Sequence, residues 1–273
     1  MNKSISLVLS ASIFLSGCAT NIGSNNLSSS ENNKEMLVFV HGAHLSGNAW
    51  SSVAGILEKD RYRTMMVNLP GREASAKPND ITLDASSQAL CDSIKSVKAP
   101  IHFIAHSQGG AVVNNALSIC PVENIKTIIY VAAVVPVKGD KPFSKLNALD
   151  EENYFKAIHF DEETAWMVIN DEASFVSVFT NSRSDEIKKL IFSQAVNEPA
   201  MIGEGVVSYD EEVFSEISKF YIYTKQDKII SLESQKAITA NLNIKNHAVI
   251  DTGHLPMVSE PKMLSSKIKL FLP

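Results

Sequence analysis

No apolar run in this chain reaches the roughly 20 residues that a permanent membrane-spanning helix needs. There is also no cluster of lysine and arginine. With a net charge of only −5, the chain lacks the electrostatic footprint of a nucleic-acid-binding protein. No internal repeat is apparent, which excludes solenoid and propeller arrays. Metal ligands are sparse as well. The two close histidine pairs, His41 with His44 and His102 with His106, each lie on a strand or its turn with no third ligand nearby, which argues against zinc. Cysteine is limited to three residues, Cys18, Cys91 and Cys120, and neither Cys91 nor Cys120 sits in a motif that suggests catalysis.

Residues 1–17 carry Lys3, an apolar stretch from Ile5 to Leu15, and then Ser16 and Gly17 before Cys18. This reads as an export signal. The small residues before Cys18 resemble the lipobox of bacterial lipoproteins, and the resemblance implies cleavage before Cys18 and lipidation of its thiol. The alternative is a secreted protein cut near Ala19. Lipidation implies a lipid-anchored protein of the bacterial cell envelope, touching the membrane through that lipid alone. Ala19, standing where an aspartate would signal retention, favours the periplasmic side of the outer membrane in a Gram-negative host. Residues 18–35 are too polar and too poor in large apolar side chains to pack a core, and read as a flexible tether. In such a compartment Cys91 and Cys120, both expected on helices flanking one strand, either form a disulfide or are two buried apolar thiols.

The remaining residues, 36–273, suit one α/β domain. Continuous apolar runs such as Met36 to Val40 suit strands buried on both faces of a parallel sheet. Further strands are expected at Thr64–Leu69, around Ile101, at Thr127–Val135, at Phe220–Thr224 and at Ile244–Asp251. Helical segments are expected at Asn48–Glu58, Asp84–Val97, Leu232–Asn241 and Lys262–Leu272. Strands alternating with helices argue for βαβ units. From about 137 to 205 the pattern changes to helical segments rich in Phe, Met and Trp166, with no strand runs. This reads as a lid over the carboxyl ends of the strands, where ligands bind in such sheets. An ordinary helical layer is the alternative.

The chemistry centres on Ile101-His-Phe-Ile-Ala-His-Ser-Gln-Gly-Gly110, a strand running into a serine flanked by small residues. A nucleophile on a sharp strand-to-helix turn needs small neighbours two residues to either side, and Ala105 and Gly109 supply them. Ser107 is therefore a candidate nucleophile, and such a hydroxyl needs a positioned base. Of seven histidines, His254 is the best placed, in a Gly/Pro loop after the last strand. Asp227, just past the Phe220 strand, is favoured over Asp251 as the acid that orients the imidazole. The oxyanion donors are expected to be the backbone N–H groups of Gln108 and Ala43. His41 is expected to order the loop that carries Ala43. His44 and Trp50 either face the pocket or simply pack, Trp166 is a further candidate pocket residue, and Phe143, Tyr154, Phe155 and Phe175 add apolar surface to the lid. No cofactor is required, because an ester carbonyl is already electrophilic.

Four stretches together resemble the α/β-hydrolase superfamily, in particular its branch of plant methylesterases, hydroxynitrile lyases and related bacterial esterases. They are Val38-Phe-Val-His-Gly-Ala43 through Trp50, Ala105-His-Ser-Gln-Gly-Gly110, Tyr221-Ile-Tyr-Thr-Lys-Gln-Asp-Lys228 and Gly253-His-Leu-Pro-Met-Val-Ser-Glu-Pro261. The resemblance implies an α/β-hydrolase fold with a mostly parallel central sheet, a Ser107, Asp227, His254 triad, and oxyanion donors at Ala43 and Gln108. It implies cleavage of a small-molecule carboxylic ester, lactones included, through an acyl-enzyme. The lyases of this branch carry a lysine directly after the catalytic histidine, able to hold a cyanide charge. Here that residue is Leu255, which favours hydrolysis. A lyase or C–C hydrolase on the same triad, and a non-catalytic binding protein, are the rival readings.

Overall fold

The computed structural model describes residues 35–273. The export signal, Cys18 and all of the proposed tether but Glu35 lie outside the described residues. The chain begins with β1 (Met36–Val40), α1 (Ser51–Lys59), β2 (Arg63–Val67), α2 (Leu83–Ile94), β3 (Ile101–His106), α3 (Gly109–Ala116) and β4 (Ile125–Val131). An insertion follows, holding α4 (Ala148–Ala157), β5 (Ile158–Asp161), β6 (Trp166–Ile169), α5 (Glu172–Phe179), α6 (Asp185–Ser193), β7 (Glu198–Pro199), α7 (Met201–Glu204) and α8 (Glu211–Glu216). The domain closes with β8 (Ser218–Thr224), α9 (Leu232–Asn241), β9 (His247–Ile250), α10 (Pro256–Ser259) and α11 (Pro261–Lys269).

Six strands form one sheet in the order β2-β1-β3-β4-β8-β9, and every pairing is parallel. The central strands β1 and β3 are buried at every position, as expected of unbroken apolar runs covered by helices on both faces. The edge strands β2 and β9 are only partly buried. The register aligns Val40 with Ala105, His106 with Val131, and Thr224 with Ile250. The loops that leave β1, β3, β8 and β9 therefore emerge on the same edge of the sheet.

The insertion departs from the helical reading. It contains a second, antiparallel sheet in the order β5-β6-β7. These strands are two to four residues long, too short to show a period of two in the sequence. Asp150 ties this cap to the main domain. Its side chain closes a capping box with Asn147 at the start of α4, and its Oδ1 also accepts the N–H of Ser231, after β8, at 3.0 Å.

Cys91 and Cys120 are disulfide-bonded. Cys91 lies in α2, while Cys120 lies in the turn beyond α3 rather than on that helix. The bond closes a loop with a sequence separation of 29, which the chain-entropy relation equates with about 3.6 kcal/mol of stabilisation. Replacing both cysteines with serine should lower the unfolding free energy in urea by about that amount. A loss below about 1 kcal/mol would contradict this account.

Candidate active site

Three segments that leave the same sheet edge build the site. Ser107 follows β3 directly, with φ at 51°, a left-handed conformation that side chains rarely adopt. The turn is held from both sides: the N–H of Ser107 donates to Val131 O at 3.3 Å, and its carbonyl accepts from Gly110 N at 3.0 Å and Val134 N at 3.2 Å. Small residues are required by contact. A Cβ on Gly42 would stand 2.6 Å from the Ser107 Cβ, and one on Gly109 would stand 2.6 Å from the His41 carbonyl oxygen. The loop after β1 and the turn after β3 thus meet at van der Waals limits. Ala105, at the position commonly occupied by glycine, is buried without disturbing the strand pairing.

His254, in the loop after β9, places Nε2 3.0 Å from Ser107 Oγ and Nδ1 2.7 Å from Asp227 Oδ2. The Asp227 carboxylate is fully engaged. Its Oδ2 also accepts from Thr224 Oγ1 at 2.8 Å, and its Oδ1 accepts the N–H groups of Ile229 and Ile230 at 2.8 and 2.9 Å. Those bonds aim one oxygen at the imidazole. The rival Asp251 is exposed and accepts from Gln226 Nε2 instead. The backbone N–H groups of Ala43 and Gln108 have no hydrogen-bond partner among the described residues. Gln108 stands at the start of α3, where leading N–H groups lack intrahelical acceptors.

The histidines around the base are uncharged. Burial lowers His41 to about 3, helped by the nearby Arg72 cation. His44 is likewise lowered to about 3, chiefly by burial. Burial also holds His106 well below the ordinary range, with His254 adding to the effect. Each ring makes neutral hydrogen bonds. His41 Nε2 accepts from Leu69 N at 3.1 Å while Nδ1 donates to the Gly42 carbonyl, so His41 orders the loop after β1. His106 Nε2 donates to the His254 carbonyl at 2.8 Å.

A cavity of about 790 Å³ opens above Ser107, with Ala43, Gln108 and His254 at its base. Phe143, Tyr154, Phe155, Phe160 and Met167 of the cap form much of its wall. None of the three candidate pocket residues lines it. His44 is turned into the cap, where Nδ1 donates to the Val196 carbonyl at 3.0 Å and Nε2 accepts from Tyr154 Oη at 2.8 Å, beside the stacked rings of Phe175 and Phe179. Trp50 is fully buried, packed 5.0 Å from the Phe39 ring as part of the core. Trp166 sits in β6 off the cavity, and its neighbour Met167 takes the lining position, because adjacent strand residues face opposite ways. Phe175, too, is core.

Sequence reasoning also missed Glu198, a buried carboxylate of β7 at the cavity base. Its Oε1 accepts from Gln108 Nε2 at 2.7 Å, and its Oε2 accepts from His44 N at 2.9 Å and Arg72 Nη2 at 2.6 Å. Burial raises this carboxyl, with Arg72 opposing. A lone glutamate before Pro199 has no local signal, and only the Gln108 at the turn hints at a polar partner. Among the described residues no cluster of histidine, cysteine, aspartate or glutamate suits a metal ion.

Two outcomes test this geometry. Gly42→Ala should fold yet lose at least about 100-fold in Ser107 reactivity, because the added Cβ would press the loop after β1 against Ser107; near-normal reactivity would contradict the close contact. The neutral histidines set a pH dependence. Unfolded chains protonate His41 and His44 near pH 6.5, whereas the native state excludes those protons down to about 3. Native stability is therefore complete above pH 6.5 and falls as pH drops, by at most about 1.4 kcal/mol per pH unit for each ring. The urea midpoint should fall between pH 7.5 and 5.5, and a flat profile would contradict neutral burial.

Residues 37–265 match the Alpha/beta hydrolase family. The chain is 24% identical over 244 residues to putative methylesterase 14, chloroplastic, of Arabidopsis thaliana, covering 83% of this chain and 69% of the relative. It is 22% identical over 249 residues to the alpha-hydroxynitrile lyase of the same plant, covering 85% and 94%. A pyrethroid hydrolase from Sphingobium faniae shares the fold with a TM-score of 0.73 at 17% identity, over 87% of this chain and 96% of that one. The sheet, the strained serine turn and the family match across most of its length agree, and the chain belongs to the α/β-hydrolase family.

Proposed function

We propose that this protein is a serine hydrolase of small, uncharged, largely apolar carboxylic esters, lactones included, acting through Ser107, His254 and Asp227. The observation that carries the reading is the single imidazole of His254 within hydrogen-bonding distance of both the Ser107 hydroxyl and the Asp227 carboxylate. Ser107 Oγ attacks the carbonyl carbon while its proton moves to His254 Nε2, and the charge that forms on the carbonyl oxygen is met by the N–H groups of Ala43 and Gln108. The imidazolium gives its proton to the departing alcohol, leaving an acyl-Ser107 ester. Water, deprotonated by the same nitrogen, then releases the acid. Asp227 stays ionised throughout and stabilises the imidazolium.

The cavity supports the substrate class. Its walls are largely aromatic and aliphatic, with Asp140, Lys141, Glu151 and Glu204 also in the lining, and the Glu198 carboxylate at its base is paired with Arg72. Similarity to methylesterases and to a pyrethroid hydrolase points the same way. The lyase reading is disfavoured because Leu255, the residue after His254, is apolar and buried. Lipid anchoring through Cys18 in the cell envelope is part of the proposal.

A fluorophosphonate should add once to the domain from residue 35 onward, as read by intact mass, and Ser107→Ala and His254→Ala should abolish the adduct. Turnover of p-nitrophenyl esters should fall by about 10⁴-fold in Asp227→Asn and by more in Ser107→Ala. A well-folded wild type with no adduct and no esterase activity would favour a binding protein.

A further inference from the structure

The cap supplies more than the cavity wall. Glu198 lies on β7 and is 1% exposed, yet its three hydrogen-bond donors all come from the main domain. Two of them belong to the segments that carry the proposed oxyanion donors. Gln108 offers its side chain to Glu198 while its own backbone N–H has no hydrogen-bond partner among the described residues. The His44 N–H is that of the peptide immediately after Ala43. His44 also has φ at 60°, a conformation that persists in a non-glycine residue only when its surroundings impose it. The bond from its N–H to Glu198 is one such restraint.

Arg72, in the loop after β2, completes the arrangement. Besides its ion pair with Glu198, its Nε donates to the Leu45 carbonyl at 2.7 Å and its Nη1 to the Pro70 carbonyl at 3.1 Å. One guanidinium thus fixes the loop after β1 from the carbonyl side while Glu198 fixes it from the N–H side. Arg72 also offsets the negative charge that Glu198 would otherwise present to a developing oxyanion. Buried ion pairs are weak stabilisers compared with apolar packing of similar volume. A purely structural tie between cap and core would not need one here.

We propose that Glu198 is a positioning residue that holds both oxyanion-donating segments in register from the cap, with Arg72 as its counter-charge. The proposal rests on the ester-hydrolase reading. It makes the oxyanion site a joint product of cap and core, so displacing β7 would disorder both donors together. Glu198 is no rival base, because both of its oxygens are already engaged and His254 serves Ser107.

The test compares Glu198→Ala, Glu198→Gln and Gln108→Met with wild type, using p-nitrophenyl esters and a trifluoromethyl ketone as transition-state analogue. Complete loss of one oxyanion donor costs about 10² to 10³ in kcat. Glu198→Ala should approach the lower figure, about 100-fold, with KM within about threefold. Glu198→Gln keeps one acceptor oxygen and should lose about tenfold. Affinity for the ketone should fall by the same factor as kcat/KM, whereas affinity for the carboxylic acid product should not move, and the pH midpoint of kcat/KM should be unchanged. Gln108→Met retains the backbone donor and decides the matter if the Glu198 variants fail to fold; it should lose between about 3-fold and 30-fold in kcat. Folded variants with kcat within threefold of wild type, or with KM raised and kcat intact, would overturn the proposal. If wild type takes a phosphonate on Ser107 and the variants are unaffected, only this inference fails. If wild type takes none, the hydrolase reading fails with it.

Discussion

The left-handed backbone at Ser107 is the constraint to which the rest of the site answers. Such a conformation costs on the order of 1–3 kcal/mol in a residue with a side chain and persists only where the surroundings over-determine it. Here the restraint comes from β3, buried along its whole length, from backbone bonds to Val131, Gly110 and Val134, and from the abutting Gly42. The strain turns the hydroxyl out of the strand and toward His254. It also leaves the N–H of Gln108 uncommitted at the start of a helix.

Around that turn the protein sorts its charges. The rings of His41, His44 and His106 are buried with no carboxylate on their nitrogens and stay neutral, serving as fixed hydrogen-bonding struts. The His254 ring differs in its contacts: Asp227 Oδ2 stands 2.7 Å from its Nδ1. The second buried carboxylate beside the cavity, Glu198, faces a guanidinium instead. The two acids of the site therefore differ in their partners: Asp227 meets an imidazole, and Glu198 meets a guanidinium, a backbone N–H and a side-chain amide.

Much of the fold was legible because parallel strands buried on both faces write themselves as unbroken apolar runs, as Met36–Val40 does, and because turn residues punctuate them. Ser107, Asp227 and His254 could be named from the small residues near the serine and from loops that end strands on one edge, and the structure brings all three within hydrogen-bonding reach. The cap was less legible. Its strands are held by pairing with one another rather than by a local pattern, so Trp166 was taken for a pocket residue and no sheet was foreseen. For His44 and Trp50 the sequence leaves pocket and packing both open, and buried hydrogen-bond partners and core packing claim them. Glu198 was invisible because its partners, Arg72, Gln108 and His44, are distant in sequence and meet only after folding.

The claim on which the account turns is that Ser107 forms an acyl intermediate. Rapid-quench mixing with p-nitrophenyl butyrate, followed by intact mass and peptide mapping, addresses it directly. The account predicts a burst of about one equivalent of nitrophenol and a transient butyryl group on the peptide containing Ser107. Steady turnover with no acylated peptide, undiminished in Ser107→Ala, would contradict it.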